Sequence, residues 1–239
     1  MGDNDYDPVG GHTKEEADAA YAELLRELHG AEAAEGPWSS GAPGEGAGDR
    51  EEIAVVGHVG SDTDCVCAAI AYARLRNMTD PGRKYVPRRA GALNAETEYV
   101  LARFGADVPE LFTAPGAGQK VVLMDHNKKS RIPDGIDMMY DVVEIIDHHR
   151  LAGIRTAAPI FVRCQPYGAV STIIYEMYLE AGMIPDARTA GLLCAGIMSD
   201  TYLLRTEKTV RADRLALAAL ANLASLDIEA FWREMLEIF

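Results

Sequence analysis

The sequence has no apolar run approaching the ~20 residues needed to span a bilayer, so no membrane is expected as a partner. Its opening, MGDNDYDP, lacks the basic and apolar regions of a secretory leader. Cysteine is scarce: Cys65, Cys67, Cys164 and Cys194 form no CxxC pair and fall short of disulfide density. All four read as reduced packing residues, which points to a cytoplasmic location. Basic stripes are missing as well. With 23 Lys and Arg against 37 Asp and Glu, the net charge is −14, and nothing offers the counterion release on which nucleic-acid binding draws. There is no internal repeat.

The acidity is concentrated at one end. Residues 1–52 carry a balance of −11, whereas the remaining 187 residues carry only −3. Thr13-Lys14-Glu15-Glu16 has the form of a capping box and opens a short helix expected over about 14–29. The Gly-, Ala- and Pro-rich residues 30–50 read as a flexible linker. Residues 1–50 are therefore expected to form an acidic extension, and residues 51–239 one domain.

From residue 53, short apolar runs alternate with amphipathic stretches. The pattern predicts strands over 53–57, 84–88, 121–124 and 142–146, and helices over 64–77 and 95–104. A helical second half follows, over 168–181, 186–198, 209–224 and 227–237. The fold class implied is α/β: a doubly wound parallel sheet with helices on both faces, and ligands gathered at the C-terminal strand ends.

Acids and imidazoles occupy those ends. They are His58, Asp62 and Asp64 in GHVGSDTD, Asp125 in LMDHN, His148 in IIDHHR and Asp200 in MSDT. Taken alone, Asp62 reads as a helix cap, and His148 and His149 as solvated loop residues. Yet four of the six histidines lie in these segments; His12 and His29 lie in the extension and are assigned no chemistry. Together the six residues read as a cage for two divalent ions. Mixed carboxylate and imidazole ligands suit Mn²⁺, Co²⁺ or Mg²⁺ better than a thiolate-seeking ion. Paired ions of this kind clamp a phosphoryl centre for in-line attack by water.

GHVGSDTDCVCAAIAYA resembles the G-H-x-N-P-D-T-D-x-x-x-x-A-I-A-Y-A opening of the manganese-dependent, family II inorganic pyrophosphatases, members of the DHH phosphoesterase superfamily. The resemblance continues through LNAETEYVL, VVLMDHN, VVEIIDHHR, PYGAVSTII, AGLLCAGIMSDT and ASLDIEAFWREML, covering residues 53–239. It implies that His58 and Asp62 hold one Mn²⁺ (or Co²⁺), that Asp64, His148 and Asp200 hold the other, and that Asp125 bridges them. It further implies that His149 reaches the substrate phosphate, with Asp147 and His126 orienting ligands through hydrogen bonds. The implied partners are pyrophosphate, accompanied by Mg²⁺, and a second copy of the chain in a homodimer joined through sheet edges.

Two departures qualify this. Gly60-Ser61 stand where the family has Asn-Pro, so a fixed φ is exchanged for glycine freedom. The chain also stops at Phe239, where the resemblance implies a further domain with a Ser-Arg-Lys-Lys-Gln segment that grips pyrophosphate from the opposite side. Without that clamp, pyrophosphate hydrolysis is expected to be impaired. Of the remaining cations near the motifs, Lys128, Lys129, Arg131 and Arg205 read as surface charges, and only Arg150 adjoins the site in sequence. Two other readings stay open: a single-domain DHH phosphoesterase acting on another small phosphoanhydride or phosphoester, and a non-enzymatic metal- or phosphate-binding protein whose acidic extension docks a partner.

Overall fold

Parallel pairing of short apolar runs organises the molecule. The computed structural model describes residues 50–113 and 118–238; the helix and linker expected before residue 50 lie outside them. Strand β1 (Glu51–Val56) pairs in parallel with β2 (Arg83–Arg89) on one side and β4 (Lys120–Met124) on the other. Beyond β2 lies the two-residue β3 (Glu110–Leu111); beyond β4 come β5 (Val142–Asp147) and β6 (Phe161–Cys164). The order β3-β2-β1-β4-β5-β6 is the doubly wound one, reversing direction of growth between β1 and β4. Successive residues of β1 point to opposite faces and both sets are buried, which explains why these strands read as unbroken apolar runs.

The two faces are covered differently. Ile53, Val55, Val122, Met124 and Ile146 pack under helices α1 (Thr63–Thr79), α2 (Ala95–Arg103), α3 (Val170–Glu180), α4 (Ala187–Thr201), α5 (Arg211–Leu223) and α6 (Ile228–Leu236). On the opposite face, Ala54, Val56, Val121, Leu123, Val142 and Ile145 are covered, among the described residues, by non-helical side chains such as Phe112, Ile132, Ile136, Met138 and Ile154. No single described helix is long and apolar enough to cross a membrane.

Local chemistry sets the helix ends near the strand termini. The side chain of Asp62 caps α1 by accepting from the Cys65 N–H at 3.0 Å, and Asn94 caps α2 through the Thr97 N–H at 2.7 Å. Helix α1 ends at Asp80, whose following proline drives it out of the helical region (φ −131°, ψ 74°). Buried Asp213 accepts from the Gly168 N–H (2.9 Å), the Thr172 hydroxyl (2.7 Å) and the Val210 N–H (2.8 Å), tying the start of α3 to the start of α5. Lower in the core, Glu144 of β5 accepts from the hydroxyls of Tyr72 and Tyr85 and from Arg76, so a buried carboxylate is fully partnered.

The predicted strands and helices lie where expected, within a few residues at their ends. Strands β3 and β6 had no signal. The first is two residues long, and the second is an edge strand whose Phe161 and Val162 are 49% and 44% exposed, so it shows no buried face. The four cysteines are unpaired, but Cys164, on β6, is exposed and not a packing residue.

Candidate metal centre

The reversal of winding between β1 and β4 opens a crevice at the C-terminal strand ends, and all six cage candidates reach it. His58 follows β1, Asp62 and Asp64 start α1, Asp125 follows β4, His148 follows β5 and Asp200 lies near the end of α4. Asp125 leaves its strand in the left-handed region (φ 69°), a conformation an aspartate tolerates better than most residues, and its N–H stays anchored to the Ile146 carbonyl at 2.8 Å. This turn drives its carboxylate, 2% exposed, into the centre of the group.

Asp125 faces an imidazole on each side. Its Oδ2 lies 3.5 Å from His58 Nε2, and its Oδ1 lies 3.1 Å from His148 Nε2. Around it, three sets of ligand atoms lie within 4.8 Å of one another: His58, Asp62 and Asp125, joined by Cys65; Asp125, His148 and His149; and Asp64, His148 and Asp200. Cys65 is a poor ligand here, because burial pushes its thiol well up and Sγ lies 3.4 Å from the Asp62 carbonyl. His58 Nε2 is also 3.1 Å from Asp62 Oδ2, so Asp62 caps α1 with one oxygen and faces the site with the other.

Both imidazoles are held by the ring nitrogen away from the carboxylates. His58 Nδ1 lies 3.1 Å from the Val59 carbonyl and His148 Nδ1 lies 2.9 Å from the Tyr167 carbonyl, which assigns the proton to Nδ1 and turns Nε2 inward. Asp64, buried beneath them, accepts the N–H groups of Val170 (2.7 Å) and Ser171 (3.0 Å) at the start of α3. Gly196 of α4 admits it: a Cβ there would come within 2.6 Å of Asp64 Oδ1. Next to Asp200, Tyr202, Leu203 and Leu204 are all left-handed (φ 49°, 52° and 60°), and the Thr201 hydroxyl holds that turn by accepting the Leu204 N–H at 2.9 Å.

The electrostatics are those of a dense mixed cluster. Burial opposes protonation of His58, but Asp125 and Asp62 outweigh it and push the imidazole up to about 10. His148 is raised likewise, Asp125 and Asp64 overcoming its burial. Burial alone would raise Asp125; His148 and His58 prevail and hold it well below the carboxylate range. Asp64 is pushed up by burial and then by the charges of Asp125 and Asp200. Asp200 is also raised by burial, against the pull of Lys208, whose Nζ sits 2.6 Å from Oδ2.

The donor set fits divalent cations. Asp125 Oδ1 and His148 Nε2 stand at ion-pair separation, but they are not aligned as a hydrogen bond, and both atoms are buried without any hydrogen-bond partner. Once Nε2 gives up its proton, two buried lone-pair atoms that face each other are what a shared cation would satisfy.

His149 stands at the mouth, 55% exposed, with Nδ1 2.9 Å from Asp147 Oδ1. Burial would raise Asp147, but hydrogen bonds from His149 and Asn127 hold it lower. Its Oδ1 also accepts the N–H groups of His148 (2.8 Å) and His149 (3.0 Å), so Asp147 orients the segment as expected. His126 does not hydrogen-bond to a cage residue: Nδ1 meets the Met124 carbonyl at 2.9 Å, and Nε2 is buried without a partner.

Four contributors escaped sequence reasoning: Asn127, Glu96, Gly196 and Lys208. Glu96 is buried between Thr63 and Ser199, accepting from both hydroxyls, the latter at 2.5 Å. It thereby ties the start of α1 to the end of α4, next to Asp64 and Asp200. The only signal for it was its place inside LNAETEYVL, two residues after a cap.

The model for the DHH family, N-terminal domain, matches residues 52–197. Among curated relatives, a protein of Clostridium acetobutylicum named probable manganese-dependent inorganic pyrophosphatase is 42% identical over 183 residues, covering 77% of this chain and 58% of the relative. One of the same name from Bacillus licheniformis is 36% identical over 187 residues, 78% of this chain and 60% of its own. A solved structure from Methanococcus jannaschii, assigned to the family II inorganic pyrophosphatases, superposes with a TM-score of 0.70 at 33% identity, covering 78% of this chain and 61% of that one. An exopolyphosphatase-related protein of Bacteroides fragilis (TM-score 0.63, 14% identity) shares the fold. The chain thus spans about three fifths of the length of the curated relatives it matches. With the family match running from β1 through most of α4, and so across all the strand ends that carry the acids and imidazoles, this chain belongs to the DHH family.

Proposed function

We propose that this chain binds two divalent cations, Mn²⁺ foremost, and hydrolyses pyrophosphate with one water to two phosphates. The observation that carries the reading is Asp125, a buried carboxylate with one oxygen toward each of two inward-turned imidazoles. His58 and Asp62 would hold one ion, Asp64, His148 and Asp200 the other, with Asp125 shared. When bound, the ions supply Lewis acidity at the phosphoryl group and lower the pKa of water. His149, positioned by Asp147 through Nδ1, would turn Nε2 toward a phosphoryl oxygen, and as the imidazolium it would stabilise the charge that develops there. The names of the curated relatives support both the metal and the substrate.

Those relatives extend beyond the matched region. A cytoplasmic site of action and a dimer of two copies belong to the same proposal; the exposed edge of β6, with Phe161 and Val162, supports the dimer.

The test is phosphate release from pyrophosphate by chelator-stripped protein resupplied with Mn²⁺ and Mg²⁺, with ATP and tripolyphosphate run beside it. Release from pyrophosphate upholds the proposal. Faster turnover of ATP or tripolyphosphate would move the substrate to another phosphoanhydride. If none is hydrolysed although Mn²⁺ raises Tm, the chain is a metal-binding protein and the catalytic reading fails.

A further inference from the structure

Beside the cage lies a cavity of about 280 Å³ whose floor is His58, Asp62 and Asp125 and whose rim includes Lys128, Arg131 and Arg150. Sequence alone made surface charges of the first two. We propose that these three cations form a phosphate-binding rim that holds the phosphoryl group of a phosphoanhydride not under attack. The inference rests on the phosphoanhydride reading above and deepens it.

The rim is built onto the site. The Val59 N–H donates to the Arg131 carbonyl at 2.9 Å, joining the loop after β1 to the 3-10 turn Lys129–Arg131 after β4. Asn127, 1% exposed, donates through Nδ2 to Asp147 and to the Arg150 carbonyl at 3.2 Å, and accepts the Ala152 N–H at 2.6 Å. Three loops are thus fastened around one opening, and the backbones carrying both arginines are fixed relative to the cage.

The charges are available. Among the described residues, Arg76, Arg88, Arg163 and Lys208 are engaged by carboxylates, whereas Lys128, Arg131 and Arg150 form no ion pair. Arg131 Nη1 instead lies 3.4 Å from His58 Nδ1, a guanidinium beside an imidazole with no carboxylate between them. His126 also lines the cavity, and its Nε2 is buried without a hydrogen-bond partner.

The chemistry selects the ligand. Cations in the cage would neutralise the phosphoryl group under attack, while the other still carries charge and needs donors farther out. Guanidinium groups match phosphate oxygens two at a time, and an ammonium adds a point charge.

The experiment uses the full chain loaded with Mn²⁺ and calorimetric binding of imidodiphosphate, which resists hydrolysis, at low and high salt. In K128A/R131A/R150A the affinity falls by about tenfold or more, as three exposed charge contacts should, and its salt dependence flattens. The Mn²⁺-induced rise in Tm stays, and K129A, adjacent in sequence but off the cavity, binds as the parent does. Should the triple variant lose Mn²⁺, the three single variants replace it, each expected to lose about threefold. Parental imidodiphosphate affinity in the triple variant, or in all three singles, overturns the rim. So does a parent chain that takes up Mn²⁺ but no imidodiphosphate. Rim-dependent binding without pyrophosphate hydrolysis would sink the proposed reaction and leave the rim standing; hydrolysis with rim-independent binding does the reverse.

Discussion

Asp125→Asn separates a shared ligand from two independent ones. The substitution keeps the side chain's shape but removes the charge that both imidazoles face at 3.1 and 3.5 Å. An ion present at about 100 times its Kd stabilises the folded state by about 2.7 kcal/mol, so two ions give about 5 kcal/mol. For a body of this size, each kcal/mol moves Tm by roughly 2–4 °C, so Mn²⁺ should raise the parent's Tm by about 10–20 °C. If the lost charge weakens both ions about a hundredfold, each retains about 0.4 kcal/mol and the shift shrinks to about 2–3 °C. Asp62→Asn touches one ligand group only and should leave about half the parental shift. The assay is thermal unfolding of chelator-stripped protein titrated with Mn²⁺, with bound metal counted by equilibrium dialysis. A D125N protein that still takes two ions tightly, or that behaves like D62N, would refute the shared-carboxylate geometry.

Three other outcomes follow from the same site. Without metal, His58 and His148 are raised to about 10 in the folded chain. Relative to an unfolded value of about 6.5, their stabilisation is complete below that pH and is lost as pH rises through their folded values. Metal-free Tm should therefore fall from about pH 7 to 10, while the Mn²⁺-induced increment grows over the same range because ligands must shed protons; a metal-free Tm that climbs there would contradict the assignment. Glu96→Ala leaves the Thr63 and Ser199 hydroxyls without their acceptor, costing about 1–3 kcal/mol and loosening the elements behind Asp64 and Asp200. One bound Mn²⁺ per chain instead of two, with Glu96→Gln largely restoring the second, is the expected dialysis result. Gly196→Ala places a Cβ within 2.6 Å of Asp64 Oδ1, an overpacking worth about 1–3 kcal/mol that also displaces that carboxylate; parental Tm and metal count in this variant would show that Asp64 has room to spare.

What sequence could reveal here follows from how each residue acts. The candidate cage was legible because His58, Asp125 and His148 follow apolar strands, and a parallel sheet brings such ends together whatever the intervening loops do. Asp62 was legible twice over: one oxygen caps α1, and the other faces His58 where the site reading places it. Glu96, Asn127 and Gly196 act through contacts that span 103, 20 and more than 100 positions, which no local pattern encodes. Arg131 is the exposed charge that the sequence suggests, yet it also lines the cavity. It stands six residues past Asp125, and only the fastening to Val59 returns it to the cavity. Edge strand β6 carries exposed Phe161 and Val162, so the burial pattern that betrayed the central strands was absent.

The metal-free cage is already balanced. Asp125 stands between two raised imidazoles, and Lys208 occupies Asp200, so protons and one ammonium neutralise carboxylates that would otherwise repel one another. The ligands come from strand ends, a capped helix start and a hydroxyl-pinned helix end, which hold position without a cation to gather them. Metal loading as proposed would then be an exchange of charge within a formed site, not a folding event, with little ordering entropy opposing it. The exchange also changes what the cavity attracts. With the cage carboxylates met only by protons and Lys208, an incoming anion faces their residual charge; with cations in place, the same floor turns attractive and the rim of Lys128, Arg131 and Arg150 reinforces it. Metal affinity and phosphate affinity should therefore be coupled through the cage, each tightening the other.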